Sequence, residues 1–220
     1  MPPETNNSDA FEAPSPALVA SLRFVGWVIG KVAWRISHKN VGCIPEDDGR
    51  GLLIAANHQT YLDPYWICLP VHREPLRFMA WDRAFEWFFV GPFIRKLGAY
   101  PVNIEKGSVA SMKASLKALE RGSTVVVFPE GARCFGNGEM LEFKQGAARL
   151  AIQANVPVLP VTIIGGNRIW PRGTAFPRPG KVEIVYHPPI ETEGFLPEDV
   201  DRERAEALNS KLREVIASAL

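Results

Sequence analysis

Gly51-Leu-Leu-Ile-Ala-Ala-Asn-His-Gln-Thr-Tyr-Leu-Asp63 decides the fold, because it joins an uncharged apolar run to a short polar loop. The first six residues are bounded by a glycine and an asparagine, which is typical of a short buried strand. His58 follows this strand, and Asp63 precedes Pro64 in the way that suits the start of a helix. The stretch therefore predicts a strand, a tight loop and a helix start, with polar groups at the edge of a sheet.

His58 and Asp63 have the chemistry of a base and its partner. On one helix, residues five positions apart are rotated by about 140° and point apart. A strand, a loop and a helix start would instead fold Asp63 back onto His58. A carboxylate bonded to one ring nitrogen fixes the tautomer and makes the other nitrogen a general base for a hydroxyl proton. The same pair is also common without a catalytic role, so other motifs must support it.

Composition narrows the class of protein. The 220 residues match one domain, or one domain with an appendage. With 25 Lys and Arg against 24 Asp and Glu, the net charge of +1 gives no global attraction to nucleic acid. Cys43, Cys68 and Cys134 are widely spaced, with no Cys-x-x-Cys, which argues against a disulfide framework or a zinc site. We expect a reducing compartment and no metal.

The N-terminal segment divides into two parts. Residues 1–16 are rich in Pro and polar residues, so we expect a mobile tail and no signal peptide. Residues 17–38 predict an amphipathic helix, and residues 39–220 the main domain. The apolar stripe of that helix recurs at alternating steps of four and three, at Leu18, Leu22, Val25, Ile29, Val32 and Ile36.

This N-terminal helix has two alternative roles. Its longest uncharged run, 24–30, is far short of the ~20 residues needed to cross a bilayer, so it is not expected to span. Basic residues and no acidic ones lie between Ala13 and Pro45, which favours a position on an anionic membrane surface. The alternative is an ordinary helix that packs on the sheet. Both roles are compatible if one face of the helix contacts protein and another contacts lipid.

Strand and helix patterns alternate along the rest of the chain. Strands are predicted at 76–80, 99–104, 123–128, 156–164 and 181–186, and helices at 108–122, from 144 onward and at 197–220. Pro157 and Pro160 predict an edge or irregular strand. The aromatic segment 81–97, broken by Gly91-Pro92, predicts two helical pieces that form core or line an entry for an acyl chain. The whole indicates an α/β fold, a mixed twisted sheet flanked by helices.

A second polar loop, Pro129-Glu-Gly-Ala-Arg-Cys134, follows the β-branched run at 123–128. Strand ends of α/β sheets are where ligands bind. Glu130 can accept a hydrogen bond from a substrate hydroxyl, Gly131 permits an unusual backbone angle, and Arg133 offers a planar fork to a phosphate. The chain has no nucleotide P-loop and no Gly-x-Ser-x-Gly nucleophile elbow.

Four motifs, taken in order, resemble the glycerolipid acyltransferases of the lysophosphatidic acid acyltransferase type, the 1-acylglycerol-3-phosphate O-acyltransferases. They are Asn57-His-Gln-Thr-Tyr-Leu-Asp63, Phe128-Pro-Glu-Gly-Ala-Arg-Cys134, Phe143-Lys-Gln-Gly146 and Val156-Pro-Val-Leu-Pro-Val161. The similarity runs from about residue 41 to residue 189, and the ordered set is far more specific than any one motif. Lys144, in the third motif, is predicted to lie near the same crevice or to face solvent.

The resemblance implies that His58 is the catalytic base, that Asp63 is its partner, and that Glu130, Gly131 and Arg133 bind the acceptor. It also implies an α/β domain preceded by a membrane-associating helical segment. The expected reaction, in phospholipid biosynthesis, moves a fatty acyl group from acyl-CoA or acyl carrier protein to the hydroxyl of a lysophospholipid, foremost 1-acylglycerol-3-phosphate. No cofactor is implied, and the expected location is peripheral, on the cytoplasmic face of a membrane.

Departures from the family pattern keep alternatives open. Ile104 stands where the family has an arginine that helps to hold the acceptor phosphate, and Ala132 and Cys134 replace two hydroxyl residues beside Arg133. Arg133, Lys106 or Lys144 is then expected to supply the charge, or the acceptor has another head group. The rival hypothesis is a non-catalytic lipid-binding protein. A covalent role for Cys134 or Cys68 is not expected, because neither lies beside a second histidine in the sequence.

Overall fold

The computed structural model describes residues 15–73, 76–88, 90–96, 99–102, 109–134, 138–171, 173–192 and 202–220. Its strands are β1 (Ser37–Lys39), β2 (Leu52–Ala56), β3 (Leu76–Trp81), β4 (Ala99–Val102), β5 (Thr124–Val127), β6 (Val158–Ile164) and β7 (Glu183–Tyr186). Its α-helices are α1 (Pro16–Trp34), α2 (Asp63–Cys68), α3 (Val90–Lys96), α4 (Val109–Glu120), α5 (Gly146–Ala154), α6 (Gly166–Ile169) and α7 (Arg202–Ala217). Short 3-10 helices cover Val41–Cys43 and Asp82–Glu86.

The described strands form one sheet in the order β1-β7-β6-β2-β5-β3-β4. Neighbouring strands are parallel, except that β6 and β7 are antiparallel. The predicted mixed α/β sheet flanked by helices is therefore confirmed. Strand β2 lies between β6 and β5, so the stretch that decides the fold runs through the middle of the sheet.

The alternation of side chains along β2 places a hydrophobic core on each face of the sheet. Leu53 and Ala55 belong to a core that α4, α5 and α7 cover. Leu52, Ile54 and Ala56 belong to the opposite core, which includes residues of α2 and α6. All five side chains of β2 are fully buried, and burying a leucine or isoleucine contributes about 1.5–3 kcal/mol relative to leaving it exposed. The uncharged run is explained by this burial on both faces.

Two predictions based on proline are each confirmed in part. Strand β6, which contains Pro160, is an interior strand paired with both β2 and β7. It is therefore not an edge strand, but its pairing is irregular as predicted. Val161 pairs with Tyr186 whereas Val158 pairs with Ile190, so the pairing shifts by one residue beside Pro160. The two helical pieces predicted within residues 81–97 are present, as the 3-10 helix Asp82–Glu86 and α3. The break between them precedes Gly91 and Pro92, which lie in the first turn of α3, where a proline loses no helical hydrogen bond.

The N-terminal helix ends earlier than the sequence predicted. Helix α1 stops at Trp34, Arg35 adopts a left-handed conformation with φ of 40°, and β1 follows as an edge strand of the sheet. Residues 37 and 38, predicted to belong to the membrane-associating segment, therefore belong to the main domain. The predicted tail falls mostly on residues 1–14, which lie outside the described residues, and Pro16 already belongs to α1.

Helix α1 lies against the domain along one side. The hydroxyl of Tyr65 donates to the carbonyl of Leu22, and the guanidinium of Arg23 donates to the carbonyl of Val71. Tyr65 also packs so closely that Gly26 has no room for a side chain. The predicted packing face is therefore present, and large apolar side chains cover the rest of the helix surface: Phe24, Val25, Trp27, Val28, Ile29 and Val32 are exposed.

The length argument against a spanning helix was wrong. Residues Ala17–Trp34 have a mean hydropathy of 1.4, and 11% of them are buried. By length and composition this helix is long and apolar enough to cross a membrane, because Arg23 and Lys31 are its only charges. The contacts with Tyr65 and Val71, rather than its length, are what hold it along the domain surface.

Candidate active site

Parallel pairing brings the two polar loops to the same edge of the sheet. Strands β2 and β5 pair in parallel from Leu52 with Thr124 to Ala55 with Val127. The loops that follow them consequently leave the sheet side by side. The amide of Cys134 donates to the carbonyl of His58 at 2.8 Å, which joins the loops directly. The crevice at this edge is the candidate active site.

The predicted pairing of His58 with Asp63 is present. Nδ1 of His58 lies 2.9 Å from Oδ2 of Asp63, and 18% of the His58 side chain is exposed while Asp63 is fully buried. The same Oδ2 accepts from the amides of Gln59 and Thr60 at 2.6 and 2.8 Å, and Oδ1 accepts from the hydroxyl of Thr60 at 2.7 Å. An ionised carboxylate only accepts, so Nδ1 carries the proton and Nε2 is the basic nitrogen.

Other residues fix the imidazole in this position. The ring of His58 stacks on Phe128, with ring centroids 4.0 Å apart and planes 17° from parallel. Asn57 anchors the end of β2, because its side-chain amide donates to the carbonyl of Ile163 and accepts from the amide of Ile163. The base is therefore held on three sides, by an acid, by an aromatic ring and by the neighbouring strand.

Glu130 supports the base rather than facing the crevice. It is 3% exposed, and its two oxygens accept from the amides of His58 and Leu141, each at 2.7 Å. Burial raises the pKa of this carboxyl, partly offset by those two amides. These two bonds let Glu130 position the His58 loop, while its predicted contact with the acceptor stays a prediction.

Arg133 lies beside the base, on an aromatic surface. Its guanidinium carbon is 3.7 Å from the centre of the Tyr61 ring, which is the distance of a cation–π contact. Tyr61 in turn meets Trp170 edge to face, with centroids 5.4 Å apart at 74°. Arg133 precedes Cys134, whose amide bonds to the carbonyl of His58, so the cation belongs to the loop that adjoins the dyad. A half-buried guanidinium in this position suits a phosphate.

Gly131 and Lys144 complete the predicted set. Gly131 has a φ of 69°, and a side chain there would lie 2.8 Å from the ammonium of Lys144. The amide of Lys144 donates to the carbonyl of Pro129, which brings the third motif to the same crevice. Lys144 is exposed to solvent and near the crevice, so both of its predicted positions apply.

A small apolar pocket opens next to Lys144. Its volume is about 150 Å³, and it is lined by Met112, Val127, Phe128, Pro129, Lys144, Gly146, Ala147 and Leu150. Phe128 lines the pocket and also stacks on His58, so one residue contacts both the pocket and the base.

Cys134 is held as a thiol rather than as a nucleophile. It is 3% exposed, and burial, followed by the charges of Glu130 and Asp63, raises the pKa of its thiol. A thiolate is the reactive form of cysteine, so this environment opposes covalent catalysis.

Sequence reasoning missed several residues of the site. Thr60 and Gln59 lie inside the first motif, so their amide bonds to Asp63 follow from the loop that the motif already predicted. Phe128 was assigned to a strand, and its contact with His58 depends on the β2–β5 pairing. Trp170 carried no signal, since nothing in the chain connects it with the first motif. Ile104, which stands at the arginine place of the family, and Lys106, a candidate cation for the acceptor phosphate, lie outside the described residues.

Comparison with known proteins agrees with this geometry. The model of the family described as acyltransferase matches residues 23–164, which include both polar loops and the third motif. The chain belongs to the acyltransferase family. The family predicted from the four motifs is thereby confirmed, and with it the reaction class, O-acyl transfer.

Individual acyltransferases cover the chain to different extents. A solved structure, the 1-acyl-sn-glycerophosphate (LPA) acyltransferase of Thermotoga maritima, superposes with a TM-score of 0.76 at 27% identity, covering 92% of this chain and 78% of that one. The 1-acyl-sn-glycerol-3-phosphate acyltransferase of Bacillus subtilis is 28% identical over 178 residues, covering 78% of this chain and 83% of that protein. That of Limnanthes alba is 32% identical over 108 residues, 47% of this chain, and the chain spans only 38% of its length.

Proposed function

We propose that the protein transfers a fatty acyl group from a thioester donor, acyl-CoA or acyl carrier protein, to the free hydroxyl of 1-acylglycerol-3-phosphate. The 2.9 Å contact between Nδ1 of His58 and Asp63 carries the proposal, because it leaves Nε2 as a base in a crevice with a neighbouring cation. The names of the relatives from Bacillus subtilis and Thermotoga maritima support this acceptor.

The reaction is a direct transfer. Nε2 of His58 takes the proton of the acceptor hydroxyl as its oxygen attacks the thioester carbonyl carbon. Asp63 stabilises the imidazolium that forms, and backbone amides stabilise the oxyanion. The carbon–sulfur bond then breaks, and the leaving thiolate takes the proton from Nε2. The products are an ester and a free thiol, so no acyl-enzyme and no cofactor are required.

Arg133 is the proposed partner of the acceptor phosphate. A guanidinium stacked on Tyr61 keeps its edge free for hydrogen bonds to phosphate oxygens. Lys144 adds a second cation near the crevice, next to Gly131. A lysolipid with a different head group is the alternative acceptor, and Ile104 is the feature that favours it, because isoleucine cannot contact a phosphate as arginine does.

We further propose that the enzyme works in phospholipid biosynthesis as a peripheral protein on the cytoplasmic face of a membrane. Support comes from the apolar side chains that α1 exposes, among them Phe24, Trp27 and Val32, and from the absence of acidic residues between Ala13 and Pro45. A helix of this composition lies with its apolar side in the lipid and its cations near anionic head groups.

A thiol-release assay with acyl-CoA and 1-acylglycerol-3-phosphate tests the function. We expect wild type to release thiol only when the acceptor is present, and His58→Ala to be slower by about 10²–10⁴-fold, the usual contribution of a positioned base. His187→Ala is the matched control, because His187 bonds to Thr162 and lies outside the crevice. Equal rates for wild type and His58→Ala would support the rival, a non-catalytic lipid-binding protein.

A panel of acceptors then tests the head group. Wild type should prefer lysolipids that carry phosphate directly on the glycerol, and Arg133→Gln should raise the KM for these while leaving the KM for the thioester unchanged. A wild-type enzyme that accepts choline or neutral lysolipids equally well would assign the site to another head group. Replacing acyl-CoA by acyl carrier protein in the same assay identifies the donor.

A further inference from the structure

The loop after α6 holds an aromatic side chain out in solvent. We call residues 170–181 the Phe176 loop, of which the structure describes all but residue 172. Phe176 is 80% exposed. The loop is nevertheless ordered by its own hydrogen bonds: the indole of Trp170 donates to the carbonyl of Thr174, and the Thr174 hydroxyl donates to the carbonyl of Pro171. The amide of Arg178 donates to the carbonyl of Ile169 at 2.7 Å. An internally bonded loop therefore presents the phenyl ring to the outside.

The charged residues near Phe176 in the sequence have one sign. Between Gly165 and Val182 the sequence has four basic residues and no acidic one. Three of the four, Arg168, Arg178 and Lys181, are exposed in the structure. A single exposed phenylalanine is ordinary on a protein surface. An exposed ring in a segment whose charges are all basic has the composition of a segment that enters the boundary of an anionic membrane.

The Phe176 loop is also continuous with the apolar helix α1. The amide of Gly180 donates to the carbonyl of Ala33 and the amide of Val182 to the carbonyl of Trp34, each at 3.2 Å. These two bonds join the end of the loop to the end of α1, where the exposed Val32 lies. The loop and the helix thus adjoin on the surface of the molecule.

The other end of the loop reaches the candidate active site. Trp170 begins the loop and packs against Tyr61, on which Arg133 stacks. A lipid surface in contact with the loop would consequently lie beside the cation that is proposed to bind the acceptor phosphate. Membrane contact through this loop would place the crevice next to the bilayer from which a lysolipid enters. Helix α1 alone does not provide this connection.

We propose that the Phe176 loop is a second membrane-contacting element, which inserts Phe176 at the boundary between head groups and acyl chains and places Arg178 and Lys181 on anionic head groups. The proposal extends the proposed membrane association of α1, but its evidence is separate: the exposed ring, the one-sided charge and the order of the loop. The partner that the Phe176 loop contacts is a bilayer that contains anionic lipids.

Sedimentation of the full chain with vesicles tests the loop. Phe176→Ser should weaken partitioning into vesicles of phosphatidylcholine with phosphatidylglycerol by about fivefold, since it removes a large apolar side chain from the contact. Arg178→Gln combined with Lys181→Gln should weaken it by about tenfold or more, and should have little effect with phosphatidylcholine alone. The exposed positions of these residues keep the fold intact.

Leu220→Ser is the matched control. It removes an apolar side chain, 53% exposed, three residues after the end of α7. Helix α7 packs on the opposite face of the sheet from Tyr65 and the α1 contacts. This variant should sediment as wild type does. If Phe176→Ser and the double variant also sediment as wild type does, the proposal is overturned.

Two further measurements separate this proposal from its alternatives. Thiol release with acceptor dispersed in detergent should be unchanged in Phe176→Ser, while release with acceptor in vesicles should fall. An inactive wild type would defeat the proposed function and leave the sedimentation result valid. If the basic variants lose binding to acyl carrier protein and keep vesicle binding, the loop contacts an acidic protein and the lipid proposal fails.

Discussion

Asp63→Asn is the most informative change, because four donors converge on one buried carboxylate. Oδ2 of Asp63 receives the Nδ1–H of His58 and the amides of Gln59 and Thr60, and Oδ1 receives the Thr60 hydroxyl. An asparagine can place its oxygen where Oδ2 was and still accept from the first three. Its amino group then faces the Thr60 hydroxyl oxygen, which can accept. The loop should keep its shape and lose the charge.

The expected loss of rate follows from that missing charge. A hydrogen bond to a charged group contributes about 1.5–3 kcal/mol. Because the imidazolium forms only as the acceptor proton is transferred, this free energy is lost in the transition state and not in the ground state. At about 1.4 kcal/mol for each tenfold change, kcat should fall by about 10- to 150-fold. The KM for acceptor should stay close to the wild-type value.

Steady-state thiol release with varied acceptor measures both constants, and circular dichroism melting shows that each variant is folded. Asp47→Asn is the control, since it makes the same chemical change at a largely exposed carboxylate before β2. A folded Asp63→Asn enzyme with the wild-type kcat would refute the reasoning, because Asp63 would then be part of the loop only. A raised KM with normal kcat would equally refute it, by assigning Asp63 to substrate binding.

Three further changes follow from single contacts. Glu130→Gln should lower kcat by about tenfold with little change in the KM for acceptor, since one buried hydrogen bond from a backbone amide is lost and the His58 loop shifts. A change in the acceptor KM alone would instead show that Glu130 contacts the substrate. Tyr61→Leu should raise the KM for acceptor by about 3- to 10-fold through loss of the cation–π support of Arg133, and unchanged KM would refute this. Burial lowers the pKa of His187, so on acidification the unfolded chain takes up a proton before the folded chain does, and stability is lost as pH falls through the folded-state pKa. Urea unfolding below about pH 6.5 should therefore show a smaller loss of stability for His187→Gln than for wild type. Equal losses would contradict this prediction.

Local pattern was sufficient for the strands and for the dyad. The uncharged runs at β2 and β5 are buried on both faces of the sheet, as an uncharged run predicts. The contact of His58 with Asp63 lies within one loop of the chain, so strand, turn and helix-start signals bring the two side chains together without reference to distant residues.

Prolines show where local pattern misled. Pro160 disfavours an interior strand on propensity, yet β6 is interior, and the pairing with the β7 segment shifts by one residue beside Pro160. The antiparallel partner is formed by residues more than twenty positions further along the chain, so the residues near Pro160 do not indicate how that partner pairs with β6. Gly91 and Pro92 likewise begin a helix rather than break one.

The sequence by itself determined the two-sided burial of the central strands and the pairing of His58 with Asp63, since each depends on residues that are close in the chain. It also determined the family, because the order of four short motifs is read from the sequence directly. Only the tertiary structure decided that Glu130 holds the His58 amide, that Tyr61 lies between Arg133 and Trp170, and that the Phe176 loop joins α1 to the crevice. The widest of these contacts, the bond between Gly180 and Ala33, joins residues 147 positions apart in the chain (180 − 33). Their partners are selected by strand order and register, which the burial of the whole sheet fixes and no single segment encodes.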